Sequence, residues 1–267
     1  MKIGFYGAGN MGSAVCAAVI DSGAEKAENI RVFDVNVKAA ERLKEKYGIT
    51  VSDDTKKVAE SSDIIFVAVK PNIVAGLMTE LKDLIKDKII VSIAAGVTCD
   101  AFKGILGEDA KIVRTIPNMP AQVREGITGI YFCNIAADDE IREYVVKLFE
   151  AFGRAIVVGK ECMIEDMIAV TSSSPAYVCL MVEAMADVAV KYGFKRDDAY
   201  MMAEQAILGT TKLMLEEKIN PSVLKDKICS PGGTTIEAVE ALETEGFRRA
   251  LMVAMEACTN KAHNMNK

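Results

Sequence analysis

Residues 1–12, MKIGFYGAGNMG, open the chain and decide its fold. Residues 2–6 form an apolar run typical of a buried strand, residues 7–12 match G-x-G-x-x-G, and residues 13–20 continue as an Ala-rich apolar helix. A strand, a glycine turn and a helix in this order predict a dinucleotide-binding unit. A glycine turn without a ligand is the alternative, and the flanking strand and helix disfavour it.

The three glycines of this pattern have separate predicted roles. Gly7 permits the tight turn, Gly9 keeps side chains away from an approaching pyrophosphate, and Gly12 lets the helix pack close to the strand. The phosphates would meet free N–H groups at the positive end of the helix dipole. The candidate cofactor-binding residues of this turn are Gly7, Gly9, Asn10, Met11 and Gly12.

Composition narrows the class of protein. The chain has 267 residues, 51% of them hydrophobic and 26% charged, which is typical of a globular protein with one or two domains. Its net charge of −6 disfavours nucleic-acid binding, which needs a basic surface. A core strand at the start leaves no room for a signal peptide, and the apolar runs are interpreted as too short to span a membrane, so we expect a cytoplasmic protein.

Cysteine and histidine usage limits the chemistry. The seven cysteines are scattered without a C-x-x-C pair, which predicts reduced, buried thiols and neither a disulfide framework nor a metal site. His263 is the only histidine and lies near the chain end, on a helix expected to fray. A mechanism that depends on a histidine general base is therefore disfavoured.

Asp34 follows the second predicted strand, residues 30–33, and precedes a predicted helix over 37–47 that Gly48 ends. A carboxylate in this place is suited to accept hydrogen bonds from the adenosine ribose and to repel a 2′-phosphate. No arginine follows it, so the sequence favours NADH over NADPH. The alternative is that Asp34 caps the helix.

Apolar strands continue to alternate with helices through residue 160, at 63–69, 88–93, 111–115, 127–132 and 155–158, with a helix at 138–152. This alternation predicts an α/β, Rossmann-type, doubly wound and mainly parallel sheet over residues 1–160. Ligands of such sheets bind beyond the carboxyl ends of the strands. Those ends add the candidate cofactor-binding residues Val69, Lys70, Pro71, Ala94, Ala95, Gly96, Pro117 and Asn118. Ordinary loop punctuation is the alternative for each segment.

Residues 161–267 contain only helical patterns and are predicted to form an all-α domain. On the helix predicted at 175–192, Glu183, Asp187 and Lys191 form one narrow polar stripe, and nearly every other position is apolar. Such a helix must be surrounded, so we expect a second subunit to cover it. The alternative is a helix wedged against the nucleotide domain.

A second turn with chemical content, ICSPGGTT, occupies residues 228–235 before a helix predicted from Ile236. Backbone N–H groups and hydroxyls ahead of a helix can bind a carboxylate or a phosphate. The alternative is an N-cap formed by Thr234 or Thr235. Because an N-cap does not require Pro-Gly-Gly ahead of it, the ligand interpretation is favoured.

Six segments together resemble the pyrroline-5-carboxylate reductase family: GAGNMG at 7–12, AVKP at 68–71, SIAAGV at 92–97, RTIPNMP at 114–120, SSSPAYV at 172–178 and LKDKICSPGGTTIEAVEALE at 224–243. The resemblance implies reduction of 1-pyrroline-5-carboxylate to L-proline by NAD(P)H, the last step of proline synthesis. It also implies homodimers that interlock through the helical domain and commonly build larger rings, often decamers.

The resemblance further implies site roles. It places the substrate carboxylate at Ser230, Gly232, Gly233 and Thr234, and gives the Thr235 hydroxyl, the candidate catalytic group, to the ring nitrogen. The loop would come from the partner subunit and face a nicotinamide near Ala94, Pro117 and Asn118. Some family members carry Asn-Arg or Ser where this chain has Asp34-Val35, so the cofactor preference stays open.

Two other functions remain as alternatives. A 3-hydroxyacid dehydrogenase also joins a Rossmann domain to helices, but it needs a lysine on the first long helix, and residues 171–190 contain none. A regulator that binds a nucleotide or pyridoxal phosphate without turnover is the other, and the turn at 231–235 disfavours it modestly. Consumption of NADH in the presence of pyrroline-5-carboxylate separates these functions.

Overall fold

The computed structural model describes residues 1–264 and divides the chain into two compact units. The first, the nucleotide unit, comprises Met1–Ser172 together with the chain from Cys258 onward. The second, the helical unit, comprises Ser173–Ala257.

The eight strands belong to one sheet of the nucleotide unit. They are β1 (Ile3–Tyr6), β2 (Ile30–Phe33), β3 (Thr50–Val51), β4 (Ile64–Val67), β5 (Ile89–Ser92), β6 (Lys111–Ile116), β7 (Gly126–Cys133) and β8 (Gly153–Val157). The helices of this unit are α1 (Asn10–Asp21), α2 (Val37–Tyr47), α3 (Thr55–Glu60), α4 (Pro71–Ile85), α5 (Cys99–Leu106), α6 (Glu140–Glu150) and α7 (Met163–Met167). A π-helical turn, Ile168–Ser172, follows α7.

The strand order β3-β2-β1-β4-β5-β6-β7-β8 is that of a doubly wound sheet. All pairs from β3 to β6 are parallel, which confirms the predicted fold class. Because the order reverses between β1 and β4, the switch point of the sheet lies directly at the glycine turn.

β7 departs from the parallel pattern because it runs antiparallel to β6. The connection at 117–125 holds only a 3-10 turn, Met119–Val123. A parallel crossover needs a dozen or more residues, usually with a helix, so this short connection reverses the chain instead.

Two apolar clusters cover the faces of the sheet. One face packs Phe5 and Phe66, whose ring centroids are 4.6 Å apart, against Phe149 and Phe152 near α6. The other packs Tyr6 and Ile65 against residues of α4 and α5 such as Met78 and Phe102. The near-continuous apolar strands are thus buried on both sides, as parallel strands are.

The helical unit contains α8 (Ser174–Lys191), α9 (Arg196–Glu217), α10 (Pro221–Ile228), α11 (Thr234–Thr244) and the first part of α12 (Phe247–Asn264). The change to a purely helical pattern is confirmed within the described residues. α8 and α9 are packed on each other.

Two expectations from the sequence are wrong. By length and composition alone, Met163–Lys191 is long and apolar enough to cross a membrane, although the apolar runs were expected to be too short. The thiols are not all buried either, since Cys162 and Cys179 are exposed. All seven thiols are free, and no group of three or more metal-ligating side chains occurs among residues 1–264.

Candidate functional site

The glycine turn at the end of β1 has the geometry that a dinucleotide needs. Gly7 has φ of +111°, and a Cβ there would lie 2.5 Å from the Ala68 carbonyl oxygen. A Cβ at Gly12 would collide with the Gly7 carbonyl, whereas a Cβ at Gly9 would meet nothing within 4 Å. Gly7 and Gly12 are thus required by packing, whereas Gly9 leaves its backbone accessible to a ligand.

Helix α1 begins directly in this turn without a side-chain cap. Gly9 is the N-cap residue, and no side chain accepts from the first amides of the helix. The hydroxyl of Ser13 instead donates to the Ala8 carbonyl at 2.7 Å. The first amides of a helix have no intrahelical partner, so those of α1 are suited to bind an anion.

Asp34 braces the glycine turn. One carboxylate oxygen accepts the Ala8 N–H at 2.5 Å, and the other accepts the Asn36 N–H at 2.7 Å. The alternative of a helix cap is wrong, because Asn36 is the N-cap residue of α2. A carboxylate has about four acceptor positions, so two backbone bonds leave room for ribose hydroxyls.

The remaining predicted cofactor-binding residues follow β4, β5 and β6, whose carboxyl ends share one edge of the sheet. After β4, Lys70 precedes α4 and Pro71 begins it. After β5, Ala94 is buried, Ala95 is exposed and Gly96 has φ of +76°. The order of the parallel strands therefore places these segments side by side at the ligand edge.

Asn118, by contrast, uses its side chain inside the protein. Its amide nitrogen donates to the Thr171 carbonyl at 2.9 Å, and its amide oxygen accepts the Ile127 N–H at 2.9 Å. Both ends of the carboxamide are therefore engaged, and Pro117 beside it is buried. Asn118 therefore stabilises the wall of the site through its side chain.

Sequence reasoning missed a buried ionic cluster behind this edge. Arg114 of β6 is 2% exposed and contacts Glu161 and Glu165, with Nη1 3.0 Å from Glu161 Oε1. The same Glu161 oxygen accepts the Cys99 N–H at 2.7 Å. Burial, followed by the charge of Glu161, raises the pKa of the Cys99 thiol, which stays protonated. The partners are about 50 residues apart along the chain, so only the fold reveals the cluster.

A cleft of about 620 Å³ runs from the glycine turn along α1. Ser13, Arg42 and Arg124 are among the residues that line it. Arg124 is paired there with Asp21 at 3.2 Å. Because the cleft follows the flank of α1, it extends away from the carboxyl ends of the strands where nucleotides bind.

The turn at 229–233, in the helical unit, resembles the glycine turn at 7–12 because it also leads into a helix through glycines. Gly232 has φ of +65°, and the Gly233 N–H donates to the Ser230 carbonyl at 3.0 Å. A Cβ at Gly233 would collide with the Ser230 hydroxyl. The positive φ explains Gly232, whereas at Gly233 the nearest atom belongs to the rotatable Ser230 side chain, so the shape of the turn does not by itself require glycine there.

Helix α11 begins at Thr234, two residues earlier than predicted. Its N-cap is Gly233, and no side chain caps it, so capping by Thr234 or Thr235 is wrong. Thr234 is exposed and Thr235 is half-buried. The uncapped amides at the start of α11 can therefore bind an anion, as those of α1 can.

The comparison with known proteins covers the whole chain. Residues 161–265 match the family model described as pyrroline-5-carboxylate reductase dimerisation, and residues 2–96 match NADP oxidoreductase, coenzyme F420-dependent. The pyrroline-5-carboxylate reductase of Escherichia coli K12 is 43% identical over 267 residues, which are 100% of this chain and 98% of that protein. The chain belongs to the pyrroline-5-carboxylate reductase family.

Solved structures agree with the family membership. A pyrroline-5-carboxylate reductase from Coxiella burnetii is 31% identical, with a TM-score of 0.94 over 100% of this chain and 98% of that one. The Plasmodium falciparum pyrroline carboxylate reductase, solved with NADP bound, is 29% identical, with a TM-score of 0.85 over 100% and 98%. The resemblance found in the sequence is therefore confirmed at the level of the family.

Proposed function

We propose that this chain reduces 1-pyrroline-5-carboxylate to L-proline by hydride transfer from NAD(P)H, the final step of proline biosynthesis. Within a chain of this family, the observation that carries the proposal is the uncapped start of α11 behind Gly232 and Gly233. It offers backbone N–H groups to a small carboxylate, and the glycine turn offers them to a pyrophosphate.

The residues at the sheet switch point fit a dinucleotide. Gly7, Gly9, Asn10, Met11 and Gly12 would hold the pyrophosphate, because Gly9 is open and α1 is uncapped. Val69–Pro71, Ala94–Gly96 and Pro117 would line the ring end of the cofactor. When bound, the reduced nicotinamide supplies the hydride.

The substrate side of the mechanism needs little from side chains. The amides of Thr234 and Thr235 would hold the carboxylate, with Gly232 and Ser230 shaping the turn. The Gly233 N–H is already used within that turn. The Thr235 hydroxyl would orient the ring nitrogen, whose protonation makes the adjacent carbon electrophilic. Orientation and charge stabilisation then supply most of the catalysis, without a histidine.

The first test is loss of absorbance of the reduced nicotinamide with 1-pyrroline-5-carboxylate. Turnover supports the proposal, and no turnover with either NADH or NADPH contradicts it. In Thr235→Val the ring nitrogen loses its hydroxyl partner, so we expect kcat/KM to fall by about 10- to 100-fold. Thr244→Val, at the other end of α11, is the matched control. Undiminished activity of Thr235→Val would remove the hydroxyl from this role.

We also propose that NADH is preferred to NADPH, because the Asp34 carboxylate would repel a 2′-phosphate. Asp34→Asn removes the charge but keeps only one acceptor oxygen, so it also loses one of the two backbone bonds of the brace. That loss affects both cofactors, so the ratio between them isolates the effect of the charge. We expect the substitution to shift the ratio of kcat/KM for NADPH over NADH upwards by about 10-fold, a change of about 1.4 kcal/mol. Steady-state assays with both cofactors measure this ratio, and an unchanged ratio would leave Asp34 only as the brace of the turn.

For the assembly we propose a homodimer that interlocks through the helical domain and builds to a decamer, with the substrate loop of one subunit serving its partner. Support comes from the dimerisation match at 161–265 and from large apolar side chains that a single chain leaves exposed, among them Leu180, Leu208 and Met252. The match also supports the proposed division into domains at 1–160 and 161–267. A covered α8 accounts for its membrane-like hydropathy, so we place the protein in the cytoplasm.

A further inference from the structure

Two side chains from one short segment, RTIPN at 114–118, both reach the segment at 161–172. Arg114 contacts Glu161 and Glu165, and Asn118 contacts Thr171. All of these residues lie in the nucleotide unit. They form two clamps, the Arg114 clamp and the Asn118 clamp.

The Arg114 clamp joins three elements at once. Its guanidinium bonds Glu165 of α7 through both terminal nitrogens and Glu161 through Nη1. Glu161 in turn accepts the N–H of Cys99, the first residue of α5. Since the loop at 94–98 ends at Cys99, this clamp fixes one end of that loop. Arg114 is 2% and Glu165 4% exposed, so water screens the clamp little.

The Asn118 clamp captures a carbonyl in the π-helical turn. π-Helical turns are rare in proteins, and those that occur often lie at functional sites. Here the Thr171 carbonyl accepts from Asn118, and the Thr171 hydroxyl donates to the Met167 carbonyl at 2.9 Å. Asn118 also accepts from Ile127 in β7, so the π-helical turn is tied to the connection after β6 and, through Asn118, to β7.

A further bond fixes the β5 loop from its other end. The Thr115 hydroxyl donates to the Ser92 carbonyl at 3.0 Å, and the Ser92 hydroxyl accepts the Ala94 N–H at 3.2 Å. The loop at 94–98 is therefore held at both ends from the segment at 114–118. Thr115 acts through Ser92 at the start of the loop, and Arg114 acts through Glu161 at its end.

We propose that Arg114 and Asn118 are positioning residues for hydride transfer. They fix the loop at 94–98 and the connection at 117–118 against the nicotinamide ring. The proposal rests on the proposed function, because those loops carry the ring only if the chain is a reductase. With the pyrophosphate at the glycine turn, dinucleotide affinity would come mainly from that turn, at the end of a different strand. Loosening a clamp should therefore reduce the rate of hydride transfer more than it reduces cofactor binding.

Arg114→Lys tests the Arg114 clamp, because lysine keeps the charge and loses the planar fork that joins both carboxylates. Displacements of about 1 Å can cost 100-fold in rate, so we expect kcat to fall by about 10-fold or more. The Kd of NADH, followed by its fluorescence, should stay within about 2-fold, since the pyrophosphate contacts are unchanged. With 4,4-dideuterated NADH the isotope effect on kcat should rise above that of the wild type, because hydride transfer becomes slower relative to product release.

Arg142→Lys is the matched control. Arg142 donates to the Ile135 carbonyl at 3.2 Å and stacks on Phe132 at 4.3 Å, away from both clamps. Arg142→Lys should lower the thermal midpoint, while kcat and the isotope effect should stay at their wild-type values. If Arg114→Lys behaved in the same way, Arg114 would be merely structural and the proposal would be overturned.

A second variant keeps the test decisive if Arg114→Lys does not fold. Glu161 is a quarter exposed, and Glu161→Gln keeps its shape while it weakens the bond to Arg114. We expect a smaller loss of kcat and a correspondingly smaller rise in the isotope effect than in Arg114→Lys, and wild-type values of both would overturn the proposal. A wild-type protein that binds NADH but does not turn over pyrroline-5-carboxylate would instead show that the proposed function is wrong.

Discussion

The two units bury their residues very differently. In the nucleotide unit β1 and β4 are fully buried, and aromatic rings such as those of Phe5 and Phe66 stack inside. In the helical unit α8 buries only Ala186, and α11 buries no residue within the single chain. The nucleotide unit therefore completes its own core, whereas the helical unit leaves apolar side chains exposed in the single chain, which the proposed homodimer would cover.

Removal of a core ring should have the largest effect, and it tests the self-sufficient half of this comparison. Phe66 is fully buried between Phe5 and Phe149. Phe66→Ala leaves a cavity and should cost about 3–5 kcal/mol in the free energy of unfolding. Denaturant unfolding measures this loss, which should not depend on protein concentration. Val35→Ala, at an exposed position, is the control. A cost below that of the control would contradict a self-contained core.

A charge on α8 tests the dependent half. Leu180 is 66% exposed in the single chain, and Leu180→Glu would bury a carboxylate if a partner covers it. We expect dimer affinity to fall by about 100-fold, equivalent to about 2.7 kcal/mol. Size-exclusion chromatography with light scattering measures the shift, and reductase activity should fall with it while NADH binding remains.

Lys191→Gln makes the same change in net charge on the polar stripe of α8 and should leave the oligomer intact. If Leu180→Glu kept the wild-type mass, the proposed cover of α8 would be wrong.

Buried polar contacts of the nucleotide unit should have a smaller effect, and a pH-dependent one. Burial alone would raise the pKa of Glu25, but hydrogen bonds from Tyr144, Asn29 and the Lys26 amide outweigh it and lower that pKa to about 2. The stabilisation is therefore present above the unfolded pKa of about 4.3 and is lost as the pH falls towards 2.

Tyr144→Phe removes one of these bonds and should cost about 2 kcal/mol at neutral pH. The folded pKa of Glu25 then rises, so unfolding curves from pH 6 to pH 2 should show a smaller loss of stability than in the wild type. Asp187→Asn, which breaks an exposed ion pair with Arg196 on the helical unit, should leave the midpoint unchanged. Parallel pH curves for Tyr144→Phe and the wild type would contradict the role of Glu25.

Local signals allowed much of the fold to be predicted. The bounds of β2 and α2 agree with the prediction, because Gly48 takes φ of +72° and ends the helix. α3 and α5 were overlooked although Asp54 and Thr98 cap them with their side chains. Their short length hid the apolar period, and the caps were the available signal.

The direction of β7 and the wall of the site were harder to predict. The short connection after β6 was a usable signal for β7, since it has no room for a crossover helix. The Arg114 cluster and the π-helical turn depend on partners about 50 residues away, which no local pattern encodes. Motifs therefore identified the segments that a ligand would approach, and tertiary pairing determined what holds those segments in place.

In a library of random variants, substitutions at the three glycines of the first turn should fall into two classes. Alanine at Gly7 or Gly12 would strike backbone, so such clones should be lost at the level of soluble expression. Alanine at Gly9 has room, so those clones should yield folded protein. If the backbone of Gly9 faces the pyrophosphate, the same clones should fail to support growth without added proline. Within one short motif, Gly7 and Gly12 would thus be required for folding, and Gly9 for cofactor binding and growth.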